Sequence, residues 1–170
     1  MTAPLSSLAS RVRLRPVAAG DLPFLFEMQQ DPQACSLSMV RPRTKEQFDA
    51  SWERSLSSPR CVPRVIELSG ENGGEEELVG AISVFVMDGV DGVGYSVARP
   101  YWGRGIVTRA LSLLLQEVTT RPLYARAAAS NTASVKALLR NGFEHVETKF
   151  SPESADGRYL ACDESSFILR

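Results

Sequence analysis

The sequence predicts an α/β protein with a mixed, mostly antiparallel central sheet of six to seven strands, flanked by about four helices. Two observations predict this class. The second, third and fourth strand-like segments follow one another with only turns between them, which favours antiparallel pairing. The fourth then leads through a glycine turn into a helix and on to another strand, which requires a parallel crossover. Together they make the sheet mixed.

Seven segments have the pattern of strands. The first alternates charged and apolar residues, which is typical of a strand with one solvated face. Turns at Asp88-Gly89 and Asp91-Gly92 separate the third strand from the fourth. The last two would form a closing pair with a polar loop between them. The predicted strands span residues 11–17, 62–68, 78–87, 93–97, 123–128, 144–150 and 165–169.

Four segments have apolar residues at helical spacing. Asp21 is placed to cap the first helix, which ends at Asp31-Pro32 and is followed by a loop. Thr44, with a glutamine three residues later, resembles a capping box at the start of the second helix. Asn131 is placed to cap the fourth helix, and Gly142 is placed to stop it in the left-handed conformation. The predicted helices lie at residues 21–31, 44–56, 106–118 and 131–142.

The turn between the fourth strand and the third helix predicts an anion site. The first amides of that helix, around residues 104–107, have no partners within the helix, and the macrodipole adds positive character. Gly103 and Gly105 lack a Cβ, so a phosphate oxygen can approach the backbone closely. The alternative is an ordinary glycine turn. Neither Gly-x-Gly-x-x-Gly nor Gly-x-x-x-x-Gly-Lys-Ser/Thr occurs in the sequence, so the turn belongs to neither of these phosphate loops.

Composition and charge narrow the class of protein. With 170 residues, we expect a flexible N-terminus at residues 1–10 and one domain at residues 11–170. Lysines and arginines number 19 against 20 acidic residues, so no strong field favours nucleic acid or an anionic membrane. No segment approaches the ~18 apolar residues of a spanning helix, and no basic region precedes an apolar run at the start. We therefore expect a soluble, cytoplasmic protein.

The cysteines and the histidine do not form a recognisable site. Cys35, Cys61 and Cys162 are far apart and odd in number, and His145 is the only histidine. Neither a disulfide framework nor a metal site follows from them. Each cysteine is better explained as a small packing residue than as a nucleophile. As a lone histidine on a predicted strand, His145 is only a minor catalytic candidate.

Two segments resemble motifs of the GCN5-related N-acetyltransferase (GNAT) family. Residues 102–107, Trp-Gly-Arg-Gly-Ile-Val, are similar to its acetyl-coenzyme A loop, Arg/Gln-x-x-Gly-x-Gly/Ala. Gly105 matches. Trp102 departs in the way typical of the RimJ/RimL-like branch, which acetylates ribosomal protein N-termini, and Val107 departs in a way that would narrow the pyrophosphate seat. The second segment, residues 131–143, matches Asn-x-x-Ser followed by Asn/Lys-x-Gly-Phe, and the resemblance covers residues 11 to about 150.

The resemblance implies the GNAT fold and an acetyl-CoA-dependent N-acetyltransferase that acts on a primary amine. It implies catalytic roles for Ser134, as donor to the leaving thiolate, and for Asn131. Ser134 could equally be a solvent-facing residue of the first helical turn, and Asn131 a plain helix cap. The residues implied to bind the cofactor are Tyr95, Ser96, Val97, Trp102, Gly103, Arg104, Gly105, Ile106, Val107 and Asn131.

The general base is not evident. Relatives often carry a glutamate just before the Ile/Val-Gly-Tyr of the central strand, where this sequence has Gly92, and Asp91 would point to the opposite face of the strand. The tyrosine that other branches use as an acid is missing from residues 144–147. A site without a strong base suits an α-amine, which is easier to deprotonate than a lysine.

The expected acceptor is therefore a protein N-terminal α-amine, bound by a monomer or homodimer with no nucleic-acid or membrane partner. One alternative is an acetyltransferase for a small-molecule amine. Another is a non-catalytic module that binds acyl-CoA without transferring it, which Gly92 and the absent tyrosine would favour. Turnover with any amine would exclude that last reading.

Overall fold

The computed structural model describes residues 8–170, so the first seven residues of the predicted flexible segment lie outside the described range. Its centre is a seven-stranded sheet in the order β1-β2-β3-β4-β5-β7-β6. Neighbouring strands are antiparallel except β4 and β5, which confirms the predicted mixed sheet and its single parallel crossover. The strands are β1 (Val12–Pro16), β2 (Val62–Leu68), β3 (Glu77–Met87), β4 (Val90–Val97), β5 (Leu123–Ala128), β6 (Glu144–Ser151) and β7 (Cys162–Leu169).

Five α-helices lie within the described residues, one more than the sequence predicted. Asp31-Pro32 was expected only to end the first helix, but it also begins the second. The Asp31 carboxylate accepts hydrogen bonds from the amides of Gln33 and Ala34 at 2.9 and 3.5 Å. Pro32 needs no amide partner at this first position. The helices are α1 (Leu22–Met28), α2 (Pro32–Ser38), α3 (Lys45–Ser57), α4 (Ile106–Glu117) and α5 (Thr132–Arg140).

The helix boundaries predicted from Thr44, Asn131 and Gly142 are confirmed. The Thr44 hydroxyl accepts the Gln47 amide at 3.3 Å, and the Gln47 side chain accepts the Thr44 amide at 3.0 Å, which completes the capping box of α3. The Asn131 side chain accepts the amide of Ser134 at 3.3 Å at the start of α5. Gly142 follows α5 with φ of 86°. Local side-chain chemistry therefore fixes where these helices begin and end.

Two local predictions need correction. Asp21 does precede α1, but its carboxylate makes no capping bond to that helix and instead accepts the Ala18 amide at 2.7 Å and the guanidinium of Arg15. Asp91-Gly92 is not a turn, because both residues lie inside β4. The hairpin turns at Asp88-Gly89 alone, and this lengthens the central strand by three residues at its start.

The sheet packs on both faces. On one face, α4 and α5 cover the larger cluster of buried residues, with Leu111, Leu114 and Phe167 among its most buried side chains. On the other face, α1 and α3 cover a smaller cluster that contains Leu25 and Phe48. None of the helices in residues 8–170 combines the length and the apolar character needed to cross a bilayer.

Arg15 on β1 bridges two buried carboxylates. Its guanidinium donates two hydrogen bonds to Asp21 at 2.8 Å and one to Glu67 at 2.9 Å. The Asp21 and Glu67 side chains are only 9% and 7% exposed, while Arg15 is 36% exposed. Hydrogen bonding to Arg15 lowers the pKa of Asp21 against the opposing effect of burial. The bridge ties β1, β2 and the start of α1 together.

We expect Arg15→Met to lower the free energy of unfolding by about 2 kcal/mol at pH 7, because two buried carboxylates lose their partner, although the partial exposure of Arg15 reduces the loss. The folded-state pKa of Asp21 is below the unfolded value, so this contribution is complete above about pH 4 and declines as the pH falls through the lowered pKa. Urea unfolding at pH 7 and at pH 3 measures both effects. Arg13→Met, on the same strand but in an exposed ion pair with Glu76, is the matched control. An equal loss in both variants would contradict the bridge.

Candidate functional site

An opening lies between β4 and β5. The two strands are paired only at Gly92 and Tyr124, so they diverge towards their carboxyl ends. The Ala98 amide donates to the Val79 carbonyl of β3 at 2.8 Å, which fixes the phase of the antiparallel ladder. Because alternate residues of such a strand face opposite neighbours, the backbone groups of Tyr95 and Val97 face the opening.

Ser96 is placed differently from these two predicted neighbours. Ser96 pairs with Ala81 of β3. Like Ala98, two residues further along the chain, it directs its backbone N–H and C=O towards β3. Its side chain is exposed. Ser96 can therefore contribute only its hydroxyl to a ligand in the opening, whereas the sequence resemblance implied backbone contacts from all three residues.

The glycine turn presents the start of α4 at the end of β4. Gly105 is the N-cap residue with φ of 75°, and Gly103 has φ of 74°, conformations that L-residues with a side chain rarely adopt. The first backbone bond into the helix is from the Arg109 amide to the Gly105 carbonyl at 3.1 Å, so the amides of residues 106–108 precede the helical ladder. A Cβ on Gly103 would meet no atom within 4 Å.

Two residues that depart from the family pattern hold this turn in place. The Trp102 indole donates its N–H to the Val97 carbonyl at 2.7 Å and packs against the larger core cluster. Val107 also packs against that cluster, so its side chain adds to the core instead of standing over the glycines. Ile106 is fully buried and Arg104 is exposed in the turn. The turn keeps an open glycine backbone that a pyrophosphate can approach.

A hydrogen bond across the opening joins β4 to α5. The Tyr95 hydroxyl lies 2.8 Å from the Ser134 Oγ and 3.2 Å from the Ser134 carbonyl oxygen, to which it donates. Asn131 accepts the Ser134 amide, so the start of α5 is fixed on both sides. Burial raises the pKa of Tyr95 to about 12 against the opposing bond to Ser134, and the phenol stays protonated at neutral pH.

The sequence missed the role of this phenol. The sequence pattern predicted a role only for the backbone of Tyr95. Spacing along a strand does not show which helix the Tyr95 side chain will contact. An aromatic residue with a polar tip next to an open sheet edge is the one signal that pointed to it. Ser134 is half-buried and lies beside the Tyr95 hydroxyl, and its catalytic role stays a prediction.

The candidates for a general base do not reach this site. A Cβ on Gly92 would lie 3.1 Å from both Cβ and Cε of Met87, so a methionine side chain fills the space where relatives carry a glutamate. Asp91 accepts two hydrogen bonds from Arg60 at 2.8 and 3.2 Å. His145 is exposed on β6, where its Nε2 lies 2.8 Å from the hydroxyl of Thr148.

The residues present fit acetyl-CoA. The amides at the start of α4 and the open backbone at Gly103 suit a pyrophosphate, since both favour an anion. The backbone of Tyr95 and Val97 at the edge of β4 suits the amides of an extended pantetheine arm. Ser134 lies across the opening from that edge, within hydrogen-bond distance of Tyr95. The predicted cofactor residues thus come together around one opening, with Ser96 the least engaged.

Comparisons with known proteins agree with this geometry. A family profile described as an acetyltransferase (GNAT) domain matches residues 11–144. Mycobacterium smegmatis RimJ in complex with CoA-disulfide is similar with a TM-score of 0.71 and 26% identity, covering 98% of this chain and 85% of that chain. Spermidine N-acetyltransferase from Vibrio cholerae, in complex with CoA and spermine, has a TM-score of 0.74 and 16% identity over 94% and 96% of the two chains.

A third solved structure, the RimL ribosomal L7/L12 alpha-N-protein acetyltransferase in complex with coenzyme A, has a TM-score of 0.73 and 16% identity over 98% and 97% of the chains. No curated protein matches the sequence significantly. The family profile covers well over half of the chain, and the solved structures share its fold almost from end to end. The chain therefore belongs to the GNAT family of N-acetyltransferases, whose acetyl donor is acetyl-CoA.

Proposed function

We propose that this acetyltransferase acts on the α-amine at the N-terminus of a protein. The observation that carries the proposal is the filled base position, where Met87 packs over Gly92 and Asp91 is held by Arg60. Deprotonating a lysine at pH 7 costs about 4.6 kcal/mol from its reference pKa, whereas an α-amine costs about 1.2 kcal/mol. An acceptor that loses its proton to water at this small cost needs no carboxylate base.

The comparisons support this class of acceptor without deciding it. RimJ from M. smegmatis shares 26% identity with this chain, over 98% of this chain and 85% of RimJ. The RimL structure is described as an alpha-N-protein acetyltransferase, but at 16% identity it supports the fold alone. The spermidine acetyltransferase is equally distant, which leaves a polyamine or another small amine as the second candidate.

In the proposed mechanism, the start of α4 and the edge of β4 position the donor. Amides of Ile106 and Val107, together with the backbone at Gly103, would hold the pyrophosphate. The backbone of Tyr95 and the amide of Val97 would hold the pantetheine arm, since the Val97 carbonyl already accepts the Trp102 indole N–H. When bound, acetyl-CoA supplies the acetyl group as an activated thioester. Because β4 and β5 diverge towards their carboxyl ends, the amine can approach the opening from that end of the sheet.

Ser134 is proposed to be the acid. Its hydroxyl holds the proton that the leaving thiolate needs, and the Tyr95 phenol, 2.8 Å away, orients that hydroxyl while it donates its own proton to the Ser134 carbonyl. The proton that the amine releases as the amide forms, carried by water, restores the serine hydroxyl. Since the pKa of Tyr95 is about 12, the phenol keeps its proton throughout the pH range in which the α-amine becomes neutral. Asn131 serves chiefly to cap α5 and so to hold Ser134 in place.

We expect kcat/KM for an N-terminal peptide to rise with pH through about pH 8 and to level off above it, because the free amine is the reacting form and its pKa is about 7.7 to 8.0. For a lysine acceptor the rise would continue towards pH 10. Steady-state rates for an N-terminal peptide, its N-terminally blocked lysine analogue and spermine, measured from pH 6 to pH 10, separate the acceptor classes. Turnover of spermine or the lysine analogue, with none of the free N-terminus, would overturn the proposal.

Two further properties belong to the proposal. We propose the cytoplasm as the working compartment, where the unpaired thiols of Cys35, Cys61 and Cys162 remain reduced. The protein is proposed to act as a monomer or homodimer without nucleic acid or membrane as a partner. Sedimentation of the purified chain measures whether it is a monomer or a homodimer. Its net charge of −1 is the reason for expecting neither nucleic acid nor a membrane as a partner.

A further inference from the structure

Two arginines meet where the segment between α2 and α3 pairs with the loop between β6 and β7. The Arg41 amide donates to the Arg158 carbonyl at 2.8 Å, and the Leu160 amide donates to the Met39 carbonyl at 2.9 Å. The side chains of Arg43 and Arg158, called here the arginine pair, are both half-buried at this junction. Because the Arg41 amide bonds to the Arg158 carbonyl, Arg43 lies only two residues from a position paired with Arg158. Burial lowers the pKa of Arg43, and the charge of Arg158 lowers it further.

The arginine pair has no carboxylate partner within residues 8–170. Neither guanidinium has a carboxylate oxygen within 4.0 Å, whereas the neighbouring Arg41 pairs with Glu153 at 2.8 Å. The Arg158 guanidinium donates from Nη1 to the Arg41 carbonyl and lies 5.7 Å from the centroid of the Tyr159 ring, but its Nε is buried and has no hydrogen-bond partner among these residues. Asp156 lies nearby, but its carboxylate accepts the Ser154 hydroxyl at 2.6 Å and the Arg158 amide at 3.0 Å. Two adjacent cations that are partly desolvated favour binding of an anion.

The helix that leads to the arginine pair lies near the end of the sheet where β4 and β5 diverge. Helix α2 packs against β5, and Asp31 at its start pairs with Arg99, just after β4, at 2.9 Å. The Val40 amide donates to the Cys35 carbonyl of α2 at 3.0 Å, so the segment that pairs with Arg158 continues directly from this helix. An isolated bridge between Val40 and Tyr159 connects the two segments that carry the pair.

We propose that the arginine pair is a subsite for a carboxylate carried by the amine acceptor. This inference rests on the proposed function and specifies its acceptor further. The carboxylate is either an acidic side chain near the start of a protein or the carboxylate of a free amino acid. A polyamine lacks any anionic group and would be repelled by the two guanidinium groups.

Competing peptides test the subsite. We expect wild-type kcat/KM for a C-terminally amidated peptide with aspartate at its second and third positions to exceed that for the asparagine peptide by about tenfold or more. Arg43→Gln should remove this preference and leave kcat/KM for the asparagine peptide within about twofold, because the Arg43 side chain makes no hydrogen bond in the described residues. Arg43→Glu should reverse the preference towards a peptide with lysine at those positions.

Arg60→Gln is the matched control. It also removes one arginine, but an exposed one paired with Asp91, and it should keep the wild-type preference. Free aspartate and glutamate form a second set of acceptors, and turnover of these alone would support the subsite while assigning it to amino acids. Equal wild-type rates on the acidic and neutral peptides would overturn the subsite and leave the N-terminal acceptor intact. Turnover of spermine without any peptide or amino acid would overturn both proposals.

Discussion

Gly105→Glu is expected to weaken acetyl-CoA binding by at least about 100-fold, since it acts on the anion seat in three ways. The carboxylate adds a negative charge at the start of α4, where the pyrophosphate would lie. The side chain at φ of 75° strains the turn. Its Cβ would also lie 3.7 Å from the Cβ of Ala9, so Ala9 restricts the conformations open to the rest of the glutamate side chain. Isothermal titration with acetyl-CoA measures the loss.

Gly89→Glu separates these causes from a general loss of folding. Gly89 has φ of 83° in the hairpin turn between β3 and β4, and a Cβ there would meet no atom within 4 Å. The variant therefore carries the same charge and the same kind of strain away from α4. It should bind acetyl-CoA as the wild type does. Undiminished binding by Gly105→Glu would show that the pyrophosphate is held elsewhere, and comparable losses in the two variants would show that the effect is not specific to the start of α4.

The parts of the fold that the sequence predicted depend on local chemistry. Thr44 and Asn131 predict where their helices begin, because a capping side chain bonds to amides only two or three residues away. The parallel step from β4 to β5 follows from one helix between two strands. The same local reasoning failed at Asp31-Pro32, because a residue pair that ends one helix has the composition that begins another.

The parts that the sequence did not predict depend on contacts between distant residues. The Tyr95 phenol meets Ser134, 39 residues further along the chain, only because β4 and α5 pack on the same side of the opening. Met87 covers Gly92 because the hairpin brings the two strands into register. The charge of Arg158 acts on Arg43 only after the loop before β7 has paired with the segment after α2. Periodicity cannot specify such contacts, since it describes each element by itself.

The catalytic role of Ser134 has the second large expected effect. Ser134→Ala should lower kcat by about 100-fold, the lower range for loss of a general acid, and leave the KM for acetyl-CoA within about threefold. Replacing the hydroxyl by a methyl group removes the proton source without removing the backbone of α5 or its cap from Asn131. Single-turnover rates and steady-state kinetics with an N-terminal peptide measure the two parameters.

Two other variants test whether the lower kcat of Ser134→Ala comes from the loss of the proton donor. Ser112→Ala, in the middle of α4 and half-buried, removes a hydroxyl of the same kind outside the opening and should leave kcat unchanged. Tyr95→Phe keeps the ring in the core but removes the partner 2.8 Å from the Ser134 hydroxyl, so a smaller loss, about tenfold, is expected if the phenol orients the acid. If Ser134→Ala retained the wild-type kcat while Tyr95→Phe lost it, the phenol itself would be the proton donor. Because its pKa is about 12, the phenol keeps its proton near neutral pH and is a suitable partner for holding a serine hydroxyl in one orientation.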